Sequence, residues 1–178
     1  MMTNLIYDRT LEDVAEVRRL LAKLDPETGD GLTAAEQAKW DAGLKGAYNF
    51  TDLNRVEAVA KTLAAALTSA GYPVEIAPVL KGSKAEDREW QEGDVLYRPQ
   101  WTTYLDNVQR LRDAYYTLAE TGELPKTEDK LGYVGANTIE KVLADIDLLI
   151  GWMKSSYRRC GTFQAGSNAA HLPLKGSA

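Results

Sequence analysis

The chain has 178 residues, 44% of them apolar and 26% charged, a composition that suits one domain with a hydrophobic core and argues against disorder throughout. Its net charge of −5 argues against a nucleic-acid partner, because such proteins usually carry a basic face. The single cysteine, Cys160, excludes an intrachain disulfide, and the longest apolar stretch, residues 142–152, is too short and too charged to insert into a membrane.

Helical periodicity dominates residues 10–71. A first helix is predicted after the N-cap Thr10, and a shorter second helix from Thr33, which has the capping-box spacing with Glu36. A third helix is predicted over residues 51–70, ending at Gly71. The apolar stripe of the first helix consists of Leu11, Val14, Val17, Leu20, Leu21 and Leu24, and that of the third of Leu53, Val56, Val59, Ala60, Leu63 and Leu67.

The pattern changes between residues 73 and 98. Val74, Ile76 and Val79 alternate with other residues, which indicates a short strand, and Pro78 favours an edge position. Residues 81–92 are charged and predict an exposed loop, and residues 95–97 predict a returning strand. We therefore predict a small β-hairpin in this region.

Two further helices are predicted in the second half of the chain. The fourth begins near Pro99, a favoured first-turn residue, and is ended by Gly122 and Pro125. The fifth begins at Asn137, which has a capping spacing with Glu140, and it is the most apolar. Their stripes contain Trp101, Tyr104, Leu105, Val108, Leu111, Tyr115 and Leu118, and then Ile139, Val142, Leu143, Ile146, Leu149, Ile150, Met153 and Tyr157.

These elements predict a mainly α fold: a helical bundle of about five helices with a small β-hairpin and an extended C-terminal tail. Residues 1–160 form the helical domain, with the hairpin and loop inserted around residues 73–98. Residues 161–178 lack periodicity and form a flexible or partner-docked tail. In that tail, the side chains expected to contact a partner are Phe163, His171, Leu172 and Leu174.

The sequence does not assemble a recognisable active site. His171 is the only histidine and lies in the tail, whereas a catalytic base must be held rigidly against its nucleophile. Cys160 follows two arginines that could lower its thiol pKa, but an ordinary cysteine at a helix end explains it better. We predict no catalytic residues and no cofactor, although a cell-wall hydrolase that uses carboxylates brought together by folding stays an alternative.

Residues 25–36 span the twelve positions of a calcium-binding loop. However, Asp30 occupies the sixth position, where glycine makes the turn, and Gly29 occupies the fifth, where an oxygen ligand belongs. The capping box already explains Glu36, and Asp145 with Asp147 fits a solubilising helix face. We therefore predict no metal site.

Aromatic residues are numerous for a helical domain. Burial in the core or at a subunit interface explains most of them, while exposed rings could stack on sugars. The predicted binding residues, at an aromatic interface or a glycan site, are Trp40, Tyr48, Phe50 and Trp90.

Five stretches of the sequence together resemble a family of small virion-associated proteins encoded in tail modules of phages and prophages of Gram-positive bacteria. One stretch is residues 45–57, KGAYNFTDLNRVE, of which GAYNFTDLNRVE is the most specific part, and the resemblance covers roughly residues 5–157. The other stretches are Tyr7-Asp8-Arg9-Thr10, Gly71-Tyr72, Tyr104-Leu105-Asp106-Asn107-Val108 and Ala136-Asn137-Thr138-Ile139-Glu140.

The resemblance implies a structural component of the distal tail, baseplate or fibre region that acts by protein–protein assembly and is not an enzyme. Its partners would be other phage tail proteins and further copies of itself. The location would be the virion, after assembly in the bacterial host cytoplasm. The alternative function is a host-surface glycan-binding module of the tail.

Overall fold

A computed structural model describes residues 4–82 and 84–160, with side chains up to residue 156. Within these residues the fold consists of five helices and no strand, which confirms the mainly helical prediction. The helices are α1 (Leu11–Lys23), α2 (Ala34–Asp41), α3 (Phe50–Ser69), α4 (Arg98–Asp113) and α5 (Tyr133–Cys160).

Local hydrogen bonds define where the first three helices begin. Thr10 and Thr33 are the N-caps of α1 and α2, as predicted. The capping box predicted for Thr33 with Glu36 is present, and Thr10 forms a further box with Asp13. Asn49 caps α3, and its own backbone N–H donates to Asp52 at 2.9 Å. Each box satisfies backbone N–H groups that the first helical turn leaves without partners.

The three long helices pack against one another and form the bundle. Arg55, near the start of α3, binds Glu140, near the start of α5, whereas Ala66 and Met153, near the ends of the same helices, line one groove. The two helices therefore run in the same direction.

Helix α4 also runs parallel to α3. Tyr48, just before α3, contacts Tyr104 in the first half of α4, and Tyr72, just after α3, packs edge-on against Tyr115, just after α4. Parallel neighbours need connections that return the chain along the whole bundle. Residues 70–97 and 114–132 are these connections.

The core lies between the three parallel helices. Its most buried members are Val56, Leu63, Leu67, Tyr104, Val108, Leu111, Ile139, Val142 and Leu143. These residues belong to the stripes predicted for α3, α4 and α5, so the predicted periodicity is correct for the bundle.

The predicted β-hairpin is wrong. Among the described residues the only β-type pairing in this region is an isolated bridge between Lys81 and Glu86. The segment that contains Val74 and Val79 is extended because it returns the chain along α3 and α4. Its Ala77 pairs with the side chain of Asn107 on α4 rather than with residues 95–97.

Three other sequence expectations need correction. In α1 only Leu20 is buried, whereas Leu11, Leu21 and Leu24 are exposed, because α1 and α2 contribute little to the bundle contacts. Helix α4 ends at Asp113, so Leu118 lies in the following connection. Helix α5 begins at Tyr133, and Asn137 lies inside it.

The predicted tail, residues 161–178, lies outside the described residues. None of the helices within the described ranges combines the length and hydropathy that a bilayer-spanning segment requires.

Candidate functional site

Four charged side chains, three of them buried and one partly buried, meet where the N-terminal segment crosses the bases of α3 and α5. We call Arg9, Asp52, Arg55 and Glu140 the charge cluster. One Arg9 nitrogen, Nη2, lies 2.8 Å from both Asp52 Oδ1 and Glu140 Oε1. Arg55 Nη2 lies 2.9 Å from Glu140 Oε1 and also contacts Asp52 Oδ1. Two guanidinium groups and two carboxylates thus neutralise each other.

The cluster is almost completely removed from water. The side chains of Arg9 and Glu140 are 1% and 0% exposed, and those of Arg55 and Asp52 are 18% and 6% exposed. Desolvation of such charges is costly unless opposite charges and hydrogen bonds compensate for it. Burial alone would lower the pKa of Arg55, but its hydrogen bonds to Glu140 and Asp52 outweigh that effect and raise the pKa above its ordinary value.

The N-terminal segment, residues 4–10, closes the cluster through its backbone. The Ile6 N–H donates to Glu140 Oε2 at 2.6 Å. Asn137, one turn before Glu140 on α5, accepts from the Arg9 N–H at 3.0 Å and donates to the Arg9 carbonyl at 2.9 Å. The Arg9 guanidinium also donates to the carbonyl oxygens of Ile6 and Lys45. All of these bonds fix Arg9 over the base of the bundle.

A tyrosine pair lies beside the cluster. The Tyr48 and Tyr104 hydroxyl oxygens are 2.6 Å apart, and the Arg9 guanidinium carbon lies 5.2 Å from the centre of the Tyr48 ring. Burial raises the pKa of both hydroxyls above the ordinary tyrosine value. Both rings therefore remain neutral at physiological pH and contribute packing and a hydrogen bond.

The asparagine that pairs with Arg9 has two counterparts on the other long helices. Asn107 on α4 pairs in the same two-bond manner with the peptide groups of Ala77. Asn54 on α3 pairs likewise with those of Trp90, at 2.7 and 2.9 Å. These three asparagine–peptide pairs each fasten one non-helical segment to a different bundle helix.

A second buried ion pair holds the first return connection. Lys81 Nζ lies 2.6 Å from Glu57 Oε2, and the Lys81 side chain is 1% exposed. The Trp90 indole N–H donates to the other Glu57 oxygen at 2.6 Å, and Lys81 Nζ lies 5.5 Å from the centre of the indole ring. Glu57 thereby satisfies two polar groups that the connection buries.

The four aromatic residues predicted as a binding set do not form one exposed group. Tyr48 and Phe50 are half-buried against the core, Trp90 is 2% exposed, and Trp40 is half-buried on α2. Trp90 has no free ring face on which a sugar could stack. Its placement follows from the Glu57 hydrogen bond and the Asn54 pair, which the sequence pattern did not indicate. The four predicted tail residues, Phe163, His171, Leu172 and Leu174, lie outside the described residues.

Two of the acidic residues that the sequence analysis discussed, Glu36 and Asp145, have structural contacts. Glu36, the last position of the calcium-loop pattern, binds Arg19 and Lys23, and the Arg19 hydrogen bond together with the cap lowers its pKa. Asp145 is buried rather than solubilising, because it accepts from Thr121 at 2.7 Å and pairs with Lys141. Among the described residues no group of three His, Cys, Asp or Glu side chains could hold a metal ion.

Sequence reasoning missed the charge cluster although its members were already in view. Arg9, Asp52, Arg55 and Glu140 all fall in the short stretches that carry the family resemblance. The available signal was the position of the two carboxylates in the sequence. Asp52 directly precedes the apolar stripe residue Leu53, and Glu140 directly follows the stripe residue Ile139. A charged residue beside a buried stripe needs a partner of opposite charge, and Arg9 and Arg55 are in the same set of stretches.

The polar atoms of the charge cluster are hydrogen-bonded within the protein. Within the described residues every buried side-chain nitrogen or oxygen has a hydrogen-bond partner, and none of the cluster residues lines a surface groove described below. The carboxylates of the cluster are occupied by the two guanidinium groups and by backbone N–H groups, and this geometry suits attachment of the N-terminal segment.

Two grooves lie elsewhere on the surface of the described residues. One, of 660 Å³, follows α4 and residues 123–128 and is lined mainly by charged side chains, among them Asp106, Arg112, Asp113 and Lys126. Another, of 570 Å³, lies between the ends of α3 and α5 and is lined mainly by alanines and Met153. The first groove therefore suits a polar or charged ligand, and the second suits an apolar one.

Comparison of this chain with family models, with curated proteins and with solved structures found no match.

Proposed function

We propose that this protein is a structural component of a phage tail, located in the distal tail, baseplate or fibre region, and that it acts by protein–protein assembly. The observation that carries the proposal is the position of the resemblance residues. The stretches that resemble tail-module proteins supply the charge cluster, the tyrosine pair and all three asparagine–peptide pairs.

These contacts have an architectural role. They fasten the N-terminal segment and the first return connection to the bundle, and the buried polar groups that they involve are paired. A catalytic motif would instead leave a nucleophile, base or anion-binding group facing a cavity. A signature composed of fastening residues is what an assembly component requires, because such a protein must present one rigid surface to its neighbours.

The proposal is tested by measuring the protein composition of purified virions. Purified virions of a phage whose genome encodes this chain should contain the protein at a fixed copy number relative to the major tail protein, measured by quantitative mass spectrometry. An in-frame deletion should give particles that lack it and have a defective tail tip by negative-stain microscopy. Its absence from wild-type virions, or its presence only in the unassembled lysate fraction, would contradict the proposal.

The glycan-binding alternative predicts a different result in the same material. Binding of the purified protein to host cell-wall polysaccharide should then weaken when an exposed ring is removed. Trp152, which is 54% exposed, is the tryptophan to substitute, and the buried Trp90 is unsuitable.

A further inference from the structure

Helix α1 has apolar side chains on two faces, and the rest of the described chain covers only one of them. Leu20 faces the protein and is 0% exposed, whereas Leu11 and Leu21 are 65% and 51% exposed. Val14 is partly exposed and Arg18 is exposed between the two leucines. These four outward residues follow one another at steps of three and four, so they lie on one face of the helix.

The charged residues of α1 are segregated along its length. The acidic residues lie in its first half and the basic residues in its second half: Glu12, Asp13 and Glu16, then Arg18, Arg19 and Lys23. This order is favourable for the dipole of the helix itself. It also makes the helix complementary to a second copy that runs antiparallel, because each acidic half then faces a basic half. A parallel copy would bring like charges together.

We propose that the outward face of α1 pairs with the same face of α1 in a second copy of this chain, antiparallel and about a two-fold axis at the level of Glu16. Leu11 and Leu21 lie five residues on either side of Glu16. Each Leu11 is therefore level with Leu21 of the other copy. Because every contact in a two-fold interface occurs twice, the pairing covers four exposed leucine side chains.

The same register brings opposite charges together at the edge of the pair. Glu12 and Arg19 are seven residues apart, close to two helical turns, so they lie on the same flank of α1. Equal flanks meet in a two-fold antiparallel pair, and Glu12 of each copy is then nearly level with Arg19 of the other. The Arg19 side chain is 46% exposed although it binds Glu16 and Glu36, so it can also contact this carboxylate.

The size of the contact sets its strength. A helix of 13 residues is about 20 Å long, and one such face offers less than the about 800 Å² per partner of a standard interface. Association is therefore weak in dilute solution and increases where copies are held close together. The inference does not depend on the proposed phage-tail role, because it concerns the purified chain alone, and its failure would leave the virion measurement unaffected.

A disulfide trap in the full-length chain tests the pairing directly. In a Cys160→Ser background, Ala15→Cys places a thiol on the exposed side of α1 next to the proposed axis. The matched control is Ala38→Cys, at an exposed alanine of α2. Under mild oxidation at equal protein concentration, Ala15→Cys should form disulfide-linked dimers at least about 10-fold faster, because paired thiols react at a high effective concentration. A smaller difference would overturn the proposal.

The orientation of the pair is tested with two further variants in the same background. Leu11→Cys and Leu21→Cys are mixed in equal amounts and equilibrated in a redox buffer. In the antiparallel pair, the two copies of residue 11 are about 15 Å apart along the helices, whereas residue 11 is level with residue 21. The mixed dimer should therefore exceed the two homodimers together. Equal amounts, or an excess of homodimers, would refute the antiparallel arrangement.

Charge reversal tests the complementarity on which the pairing rests. Glu12→Lys, combined with Ala15→Cys, would place a lysine opposite Arg19 of the other copy and should slow cross-linking about 5-fold or more at low ionic strength. Glu92→Lys, at an exposed position of the first return connection, makes the same change in net charge and should alter the rate by less than about 2-fold. Equal effects of the two substitutions would contradict the proposed register.

Discussion

The charge cluster predicts a large loss of stability when one carboxylate is removed. In Glu140→Gln, Arg9 and Arg55 lose the negative charge that lies 2.8 and 2.9 Å from them, and Ile6 keeps only a neutral acceptor. At an effective dielectric constant of 20, a pair of unit charges about 4 Å apart interacts with about 4 kcal/mol. Removal of one partner from a buried pair costs about 3–5 kcal/mol in measured cases, and we expect this range.

Urea unfolding followed by circular dichroism and by tryptophan fluorescence measures that loss. A free energy of unfolding of about 5–15 kcal/mol is normal for a domain, so Glu140→Gln should remove a large fraction of it and lower Tm by about 6–20 °C. Glu75→Gln, an exposed carboxylate on the first return connection, is the matched control and should change stability by less than about 0.5 kcal/mol.

A double-mutant cycle separates the ion pairs from simple loss of packing. Arg9→Met and Glu140→Gln should each be strongly destabilising, and the double variant should cost clearly less than their sum, because each single variant leaves an uncompensated buried charge. If Glu140→Gln costs less than about 1 kcal/mol, or if the two effects add, the reasoning about buried charge in this cluster is wrong.

Three further predictions concern the fastening contacts and the backbone. Asn137→Ala should cost about 1–3 kcal/mol, because both peptide groups of Arg9 lose a partner; hydrogen exchange of residues 4–10 should accelerate, and unchanged exchange would contradict the role. Gly46→Ala should lower the free energy of unfolding, because its Cβ would lie 2.1 Å from the Asp13 carbonyl oxygen. Gly151→Ala has no neighbour within 4 Å of its Cβ and should raise the free energy of unfolding by about 0.5–1 kcal/mol. Changes in Tm of the same sign for the two variants would refute this prediction. Tyr48 and Tyr104 have raised pKa values in the folded state. Their contribution to the free energy of unfolding is therefore complete below about pH 10 and is lost as the pH rises further. Ultraviolet absorbance at alkaline pH should show that two of the nine tyrosines ionise only as the protein unfolds.

The sequence predicted the parts of this fold that depend on local interactions. Thr10 was identified as an N-cap from its hydroxyl at the start of an apolar stripe, and Thr33 from its capping-box spacing with Glu36; both signals are contained within four residues. Inside the helices the predicted stripes of α3, α4 and α5 were correct because each helix buries one face against its neighbours, whereas Tyr115 and Leu118 of the predicted α4 stripe follow the end of that helix. The start of α5 was misplaced because Asn137 and Glu140 have capping spacing but instead bind the N-terminal segment.

The prediction of a β-hairpin was wrong because the partner of the extended segment is set by tertiary packing and not by the local sequence. Alternating residues such as Val74 and Ile76 indicate an extended chain but do not specify its partner. Here the partners are helix side chains, since parallel helices require the connection to run back along them. An interpretation based on alternation alone could not distinguish this arrangement from a sheet.

The candidate site could be predicted only in part. Periodicity and motif position brought its residues to attention, but their contacts join positions far apart in the chain. Arg9 binds Asp52 across 43 residues and Glu140 across 131 residues. Complementary charge on two apolar stripes is compatible with many pairings, and only the parallel packing of α3 and α5 selects this one.

The span between Arg9 and Glu140 also sets an order of events during synthesis. At about 5–20 residues per second, the 131 positions between them take roughly 7–26 s to translate. During that time residues 4–10 have no carboxylate from α5 to bind, and Asn137 has not yet been made. These residues therefore leave the ribosome before the bundle helices, but they can make their contacts with α5 only after that helix has been synthesised.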